Sequence, residues 1–123
     1  SEMCIRDSLY SALKAGVTHF TKMAGVELGK DNIRVNAISP GAIATPIFWG
    51  GSGVSNTLSE EENNRKLEKL QGNLANAVPL QRSGLASDIA QAALYLSSDA
   101  GSFVTCQDIV VDGGRTAMFN ENS

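Results

Sequence analysis

Two short apolar segments with a long helical stretch between them constrain the fold of this 123-residue chain more than any other feature. The first, residues 32–38, alternates apolar and polar side chains and is ended by residues 39–41, Ser-Pro-Gly. The second, residues 108–112, is closed by Gly113 and Gly114. Parallel strands need a long crossover, usually helical, whereas antiparallel strands can be joined by a tight turn. The order therefore predicts a parallel pair of strands in an α/β sheet.

The stretches around these strands carry helical patterns. One helix is predicted over residues 9–28, from apolar side chains spaced by three and four: Leu9, Leu13, Val17, Phe20, Ala24 and Leu28. A second is predicted to begin after Ser59, a candidate N-cap with Glu62 three residues on, and to end before Pro79. A third begins near Ser87, with an apolar face of Ile89, Ala93, Leu94 and Leu96. We expect a loop at residues 42–57 and a loose segment after Arg115.

Charge and composition argue against several classes of partner. The chain has 10 Lys and Arg against 13 Asp and Glu, which gives no basic footprint for nucleic acid. Residues 35–59 are uncharged, but their prolines and glycines argue against a membrane span. Two cysteines predict neither a disulfide framework nor a metal site, so a reducing, cytoplasmic location is expected.

The first residues resemble a translated adapter. Residues 3–7, Met-Cys-Ile-Arg-Asp, correspond to the codons ATG-TGT-ATA-AGA-GAC, one reading frame of a transposon end used in sequencing libraries. We hypothesise that residues 1–8 are a non-native scar on a truncated reading frame, the alternative being an ordinary N-terminal turn. Other codons in the source DNA would contradict the hypothesis.

Tyr10 and Lys14 lie four residues apart on the first predicted helix, so their side chains share one face. A free phenol ionises at about pH 10, too high for acid–base work near neutrality. An ammonium group held close to it favours the phenolate, and such a pair can exchange a proton with an alcohol or carbonyl oxygen. The alternative is a half-buried aromatic ring beside a solvated lysine.

Several motifs follow this pair in order: Ile-Arg-Val-Asn at residues 33–36, Pro-Gly-x-x-x-Thr at 40–45, Pro-Leu-Gln-Arg-Ser-Gly at 79–84 and Val-Asp-Gly-Gly at 111–114. Together with the Tyr-x-x-x-Lys helix, this run resembles the short-chain dehydrogenase/reductase family over residues 9–114. The resemblance implies an α/β fold that is the C-terminal part of a Rossmann-like doubly wound parallel sheet. Residues 9–115 would be the C-terminal half of the domain, and residues 116–123 a tail.

The resemblance also implies a role for each residue of the pair. Tyr10 would exchange the proton with the substrate oxygen. Lys14 would favour the phenolate form of Tyr10 and hydrogen-bond the nicotinamide ribose hydroxyls of NAD or NADP. No metal is implied.

Two further groups of residues acquire roles by the same resemblance. The nicotinamide end of the cofactor would be contacted by Pro40, Gly41, Ile43 and Thr45. A mobile loop would close over the substrate with Ile47, Phe48 and Trp49. Two alternatives remain open at this point. Phe48 and Trp49 are as well explained as anchors that pack the loop, and Pro40-Gly41 as a turn without a binding role.

Cys106 departs from the family pattern, which usually places glycine in the turn before the last strand. If that position requires a positive φ, the cysteine costs about 1 kcal/mol or more.

We expect the complete protein to be an NAD(P)-dependent oxidoreductase that interconverts a secondary alcohol and a ketone, acts on a small molecule and forms a homo-oligomer. The sequence contains no glycine-rich strand-to-helix turn, and the family's catalytic serine would precede Leu9. The chain on its own is therefore expected to be inactive. One alternative is a non-catalytic dinucleotide-binding or assembly module on the same fold, and another is a dehydratase or epimerase.

Overall fold

The computed structural model describes the backbone of residues 2–119 and the side chains of residues 7–118. Its helices and strands are α1 (Glu2–Leu28), β1 (Ala37–Pro40), α2 (Gly51–Ser55), α3 (Glu60–Ala75), α4 (Ala86–Ser97) and β2 (Asp108–Val111). Short 3₁₀ turns occupy Gly29–Asp31, Pro46–Trp49, Asp99–Gly101 and Thr116–Phe119. Residue 1 of the predicted adapter segment and residues 120–123 of the predicted tail lie outside the described residues.

The two strands pair in parallel, as predicted. The Ala37 N–H donates to the Gln107 carbonyl at 2.8 Å, and the Gly41 N–H donates to the Val111 carbonyl at 2.9 Å. Partner numbers that rise together identify a parallel pair, in which successive bonds are evenly spaced and slanted. The expectation of a parallel α/β arrangement is therefore confirmed.

The first strand is shorter than predicted: it begins at Ala37 instead of residue 32. The segment opposite its predicted start contains Cys106 at φ 65°, a conformation that interrupts a regular ladder. Two bonds hold the chains together there. The Cys106 N–H donates to the Val35 carbonyl at 2.8 Å, and the Asn36 amide donates to the Val104 carbonyl at 2.9 Å.

The chain divides into two compact units, each assembled from two stretches of sequence. Unit 1 comprises Ser1–Ile38 and Ala93–Ile109, and unit 2 comprises Ser39–Ala92 and Val110–Ser123.

In unit 1, α1 packs through small residues instead of its apolar stripe. Thr21 is 5% exposed, and Gly25 is buried where a Cβ would lie 3.2 Å from Thr105 Oγ1 and 3.3 Å from the Cys106 nitrogen. Large side chains of the predicted stripe are more than half exposed: Leu9, Leu13, Val17 and Phe20. The predicted helix is present, and it already begins at Glu2.

Arg34, from the Ile-Arg-Val-Asn motif, holds unit 1 together. Its guanidinium donates to the carbonyls of Leu96 and Ser98 at the end of α4 and to that of Val104. The last carbonyls of a helix have no partner within the helix, so a cation that reaches them satisfies orphan acceptors. This part of the motif is therefore explained by the architecture.

In unit 2, the predicted cap of α3 is present, since the Ser59 hydroxyl accepts the Glu62 N–H at 3.1 Å. Residues 42–57 are not all loop, because they contain a 3₁₀ turn that begins with Pro46 and the short helix α2. Proline favours the first position of a helical turn, and Gly50 at φ 112° separates the two pieces. The segment after Arg115 also differs from expectation, because it forms the 3₁₀ turn Thr116–Phe119.

The third predicted helix, α4, is present, but its cap comes from a different residue. Asp88, instead of Ser87, accepts the Leu85 N–H at 2.8 Å. Along α4 the covered face carries Ile89 and Leu96, whereas Leu94, predicted on that face, is 61% exposed.

Candidate functional site

Tyr10 and Lys14 lie together on the face of α1, one turn apart. The Lys14 ammonium lies over the Tyr10 ring, 5.6 Å from its centroid, within the range of a cation–π contact. Tyr10 is 64% exposed, so its phenol is open to a ligand. The pair is thus arranged so that a cation accompanies an accessible phenol.

Pro40 ends β1, and Gly41, the next residue, packs closely against Asp112 at the end of β2. A Cβ at position 41 would lie 2.6 Å from the Asp112 Cβ and 2.8 Å from its Cα. Real side-chain carbons do not tolerate such distances, so glycine is required here by strand packing. Packing against Asp112 is enough to explain the glycine, as expected if Pro40-Gly41 is a turn without a binding role.

Ile43 and Thr45 follow Gly41 along the chain and belong to unit 2. Ile43 forms a parallel bridge with Gly84, and the neighbouring Ala44 N–H donates to the Gly84 carbonyl at 3.0 Å. Thr45 has extended backbone (φ −140°, ψ 163°) and precedes the 3₁₀ turn, yet its hydroxyl makes no capping bond. That hydroxyl therefore keeps its capacity to bind a ligand.

The three residues of the predicted substrate loop occupy the 3₁₀ turn Pro46–Trp49 and differ in their surroundings. Ile47 is 74% exposed and Phe48 is 51% exposed. Trp49 is half-buried, and its indole N–H donates to Asn63 Oδ1 at 3.3 Å. Of the two readings of this loop, anchoring fits Trp49, whereas Ile47 and Phe48 are free to touch a ligand.

A cavity of about 440 Å³ opens in unit 2 at the carboxyl ends of both strands. Its lining is mainly apolar, with Ala42 and Ile43 beyond β1 and residues 110–114 at the end of β2. Open α/β sheets bind their ligands at this end of the strands. Ile43 is the predicted cofactor residue that lines it.

Two charged residues at this cavity, Arg82 and Asp88, are paired with each other. Two guanidinium nitrogens donate to the two carboxylate oxygens at 3.0 and 2.9 Å. The hydrogen bond from Arg82, and then that from the Leu85 N–H, lowers the pKa of Asp88 to about 2. Both charges are committed to this pair, so neither is left unpaired at the cavity.

A second carboxylate at the cavity, that of Asp112, is occupied by backbone groups. Its oxygens accept the N–H groups of Gly114 at 2.9 Å and Thr116 at 2.7 Å. Bonds from Thr116, followed by that from Gly114, hold the pKa of Asp112 below its usual range. The carboxylate therefore orders the turn after β2.

The predicted site residues are distributed over the two units. Tyr10 and Lys14 belong to unit 1, and the cofactor and loop residues from Pro40 to Trp49 belong to unit 2. The sequence did not predict Asn63 as the partner of Trp49, because the two residues are fourteen positions apart and belong to different elements. It also missed the Arg82–Asp88 pair, for which the six-residue spacing across a turn was the available signal.

Within the side chains that the structure describes, no cluster of three or more His, Cys, Asp or Glu is placed to hold a metal ion. The search of these residues likewise finds no helix with the length and apolar character needed to cross a membrane.

A family model, related sequences and solved structures all match this chain and agree on one family. A family model described as enoyl-(acyl carrier protein) reductase matches residues 2–116. The 3-oxoacyl-[acyl-carrier-protein] reductase FabG of Chlamydia trachomatis serovar D is 43% identical over 105 residues, which are 85% of this chain and 36% of that protein. The structure of a short-chain type dehydrogenase/reductase from Mycobacterium ulcerans gives a TM-score of 0.65 at 36% identity, over 88% of this chain and 34% of that one.

A second solved structure, 4-hydroxyisoleucine dehydrogenase complexed with NADH, gives a TM-score of 0.64 at 34% identity, over 89% of this chain and 39% of that one. The chain belongs to the short-chain dehydrogenase/reductase family, which confirms the resemblance and the Rossmann-like fold class. It spans little more than a third of the length of these relatives. The family match includes residues 2–8, and the adapter origin of these residues stays a prediction.

Proposed function

We propose that the complete protein containing this chain is a nicotinamide-dependent oxidoreductase that interconverts a secondary alcohol and a ketone. The observation that carries the proposal is the exposed phenol of Tyr10 with the Lys14 ammonium over its ring. Membership of the family supports a nicotinamide dinucleotide, as does the similarity to a dehydrogenase complexed with NADH. NAD and NADP are both compatible with the residues present.

The residues of this chain fit the nicotinamide half of such a cofactor. The Thr45 hydroxyl is not used as a helix cap, so it can hydrogen-bond a carboxamide, with the backbone of Ile43 beside it. Lys14 carries three ammonium donors and is exposed, which suits the ribose hydroxyls. Pro40 and Gly41 would lie beneath the nicotinamide ring.

The cofactor, when bound, supplies or accepts the hydride. In the reductive direction Tyr10 donates its phenolic proton to the carbonyl oxygen of the substrate, and in the oxidative direction the phenolate takes the proton of the hydroxyl group. Lys14 stabilises the phenolate electrostatically. Ile47 and Phe48 contact the apolar part of the substrate, and the absence of charge from residues 35–59 favours a neutral one.

The remaining parts of the proposal concern the state of the protein. A cytoplasmic location is supported by the free thiol of Cys106. A homo-oligomer is supported by the exposed apolar side chains of α1. The 123-residue chain on its own is expected to be inactive; alcohol-dependent reduction of NAD by the isolated chain would contradict this.

Replacing Tyr10 tests the function. Tyr10→Phe in the complete protein removes the transferable proton and is expected to lower kcat by roughly 10²- to 10⁴-fold, measured by the absorbance of reduced nicotinamide. Tyr95→Phe is the matched control, since Tyr95 is half exposed on α4 and should leave kcat unchanged. Full activity in Tyr10→Phe would overturn the proposed role. Cofactor binding without turnover would favour the non-catalytic alternative.

A further inference from the structure

One amide side chain joins three elements of unit 2. Asn63 lies in the first turn of α3, its Oδ1 accepts the Trp49 indole N–H at 3.3 Å, and its Nδ2 donates to the Ser55 carbonyl at 2.8 Å. Trp49 ends the 3₁₀ turn Pro46–Trp49, and Ser55 ends α2. The amide of Asn63 thus connects the substrate loop, the short helix after it and the start of α3.

The two bonds fix the orientation of this amide. An indole nitrogen is a donor only and a backbone carbonyl is an acceptor only. If the oxygen and nitrogen of Asn63 exchanged places, two donors would face each other on one side and two acceptors on the other. Trp49 is half-buried, so its N–H needs a partner more than a fully solvated group would.

The connection bears on two neighbouring side chains. Ile47 and Phe48 lie on the same 3₁₀ turn as Trp49 and are 74% and 51% exposed. The turn is closed by backbone hydrogen bonds, from the Phe48 N–H to the Thr45 carbonyl at 3.3 Å and from the Gly50 N–H to the Ile47 carbonyl, so its residues are held as one piece. Fixing Trp49 therefore fixes where Ile47 and Phe48 are presented.

We propose that Asn63 is a positioning residue for substrate specificity: by holding Trp49 and Ser55, it sets the place at which Ile47 and Phe48 meet the apolar part of the substrate. This inference rests on the proposed function. Asn63 itself touches neither substrate nor cofactor, and it acts through the loop.

The first measurement needs no activity. The complete protein labelled with 5-fluorotryptophan gives a ¹⁹F NMR signal for Trp49, which is assigned as the signal lost in Trp49→Phe. Asn63→Ala is expected to shift or broaden that signal, and Asn64→Ala, which changes an exposed asparagine next along the same helix, is expected to leave it in place. An unchanged signal in Asn63→Ala would overturn the connection itself, whatever reaction the protein catalyses.

The second measurement separates positioning from general stability. Asn63→Ala and Trp49→Phe are each expected to raise the KM for a secondary alcohol by about three- to tenfold, with kcat changed by less than about twofold. The reason is that each substitution removes one partner of the same neutral hydrogen bond. The double variant is expected to raise KM no further than the larger single effect. The specificity role would be overturned if the KM increases of the two single variants multiplied in the double variant. It would also be overturned if KM stayed unchanged in a variant whose ¹⁹F signal had shifted. Failure of the Tyr10 test alone would instead affect the proposed function.

Discussion

Cys106 has a left-handed backbone conformation at φ 65°, two residues before β2 begins. Asn32, at φ 59°, and Gln81, at φ 56°, share this conformation among the described residues. The conformation brings Cβ close to the carbonyl oxygen; asparagine offsets this by local hydrogen bonding, whereas Cys106 has only a weak bond from its Sγ to Thr105 Oγ1 at 3.9 Å. The condition set for strain at this position, a positive φ, is therefore met.

Replacing the cysteine by glycine should relieve the strain. Cys106→Gly is expected to raise the free energy of unfolding by about 0.5 to 1 kcal/mol, after allowance for the greater entropy of the unfolded chain. Asn32→Gly is the control and should give a smaller gain or none, since Asn already accepts the conformation. Urea unfolding midpoints measure both. A lower midpoint for Cys106→Gly would mean that the contact between Cys106 and Gly25 outweighs the backbone strain.

At the scale of elements, α4 begins with a carboxylate that serves two partners. Asp88 accepts the Leu85 N–H as a cap and the Arg82 guanidinium as an ion pair. A negative charge in the first turn also interacts favourably with the helix dipole. The ion pair and the dipole interaction require the ionised form of Asp88, so the stability of the start of this helix depends on pH.

The sign of that dependence follows from the pKa of Asp88. Because the pKa is lowered to about 2 in the folded chain, below the ordinary aspartate value of about 3.9, the stabilisation is present above pH ~4 and lost as the pH falls toward 2. In Asp88→Asn the unfolding midpoint is expected to change less between about pH 4 and 2 than it does in the parent protein. Asp31→Asn, which changes an exposed aspartate in unit 1, is the control. A steep loss that persists in Asp88→Asn would assign the effect to other carboxylates.

The elements that could be predicted from the sequence are those specified by near neighbours. Ser59 and Glu62 lie three residues apart, so the cap of α3 is legible in the sequence and present in the structure. The spacing of Tyr10 and Lys14 likewise places both on one helix face. The start of β1 could not be predicted, because it depends on the conformation of Cys106, about seventy residues away. Ser87 does not serve as the cap because the helix begins one residue earlier, at Ala86, which places Asp88 opposite the Leu85 N–H.

At the scale of the whole molecule, α1 carries a series of exposed apolar side chains that the fold of the described residues does not use. Besides Tyr10, six large apolar side chains of this helix are more than half exposed within the described residues: Leu9, Leu13, Val17, Phe20, Met23 and Val26. Contiguous apolar surface of this kind marks an interface more often than a solvated helix face. We expect it to be covered in the proposed homo-oligomer.

A charge placed on this face tests that expectation. Phe20→Asp in the complete protein is expected to lower the molar mass in solution toward that of a smaller assembly, because a carboxylate buried in an apolar contact is unpaired. His19→Asp, at the adjacent exposed and polar position, should leave the mass unchanged. Sedimentation velocity measures both. An unchanged mass with a lower unfolding midpoint would place this face inside one subunit instead.

The division of unit 1 into two stretches of sequence has a consequence for its synthesis. Arg34 finds its carbonyl partners in residues 96–104, which leave the ribosome only after all of residues 39–92. At roughly 5–20 residues per second, α1 waits several seconds for the segment that it packs against. During that interval the face of α1 that carries Thr21 and Gly25 lacks the segment around Thr105 that covers it in the folded unit, so unit 1 cannot close before residues 93–109 are made.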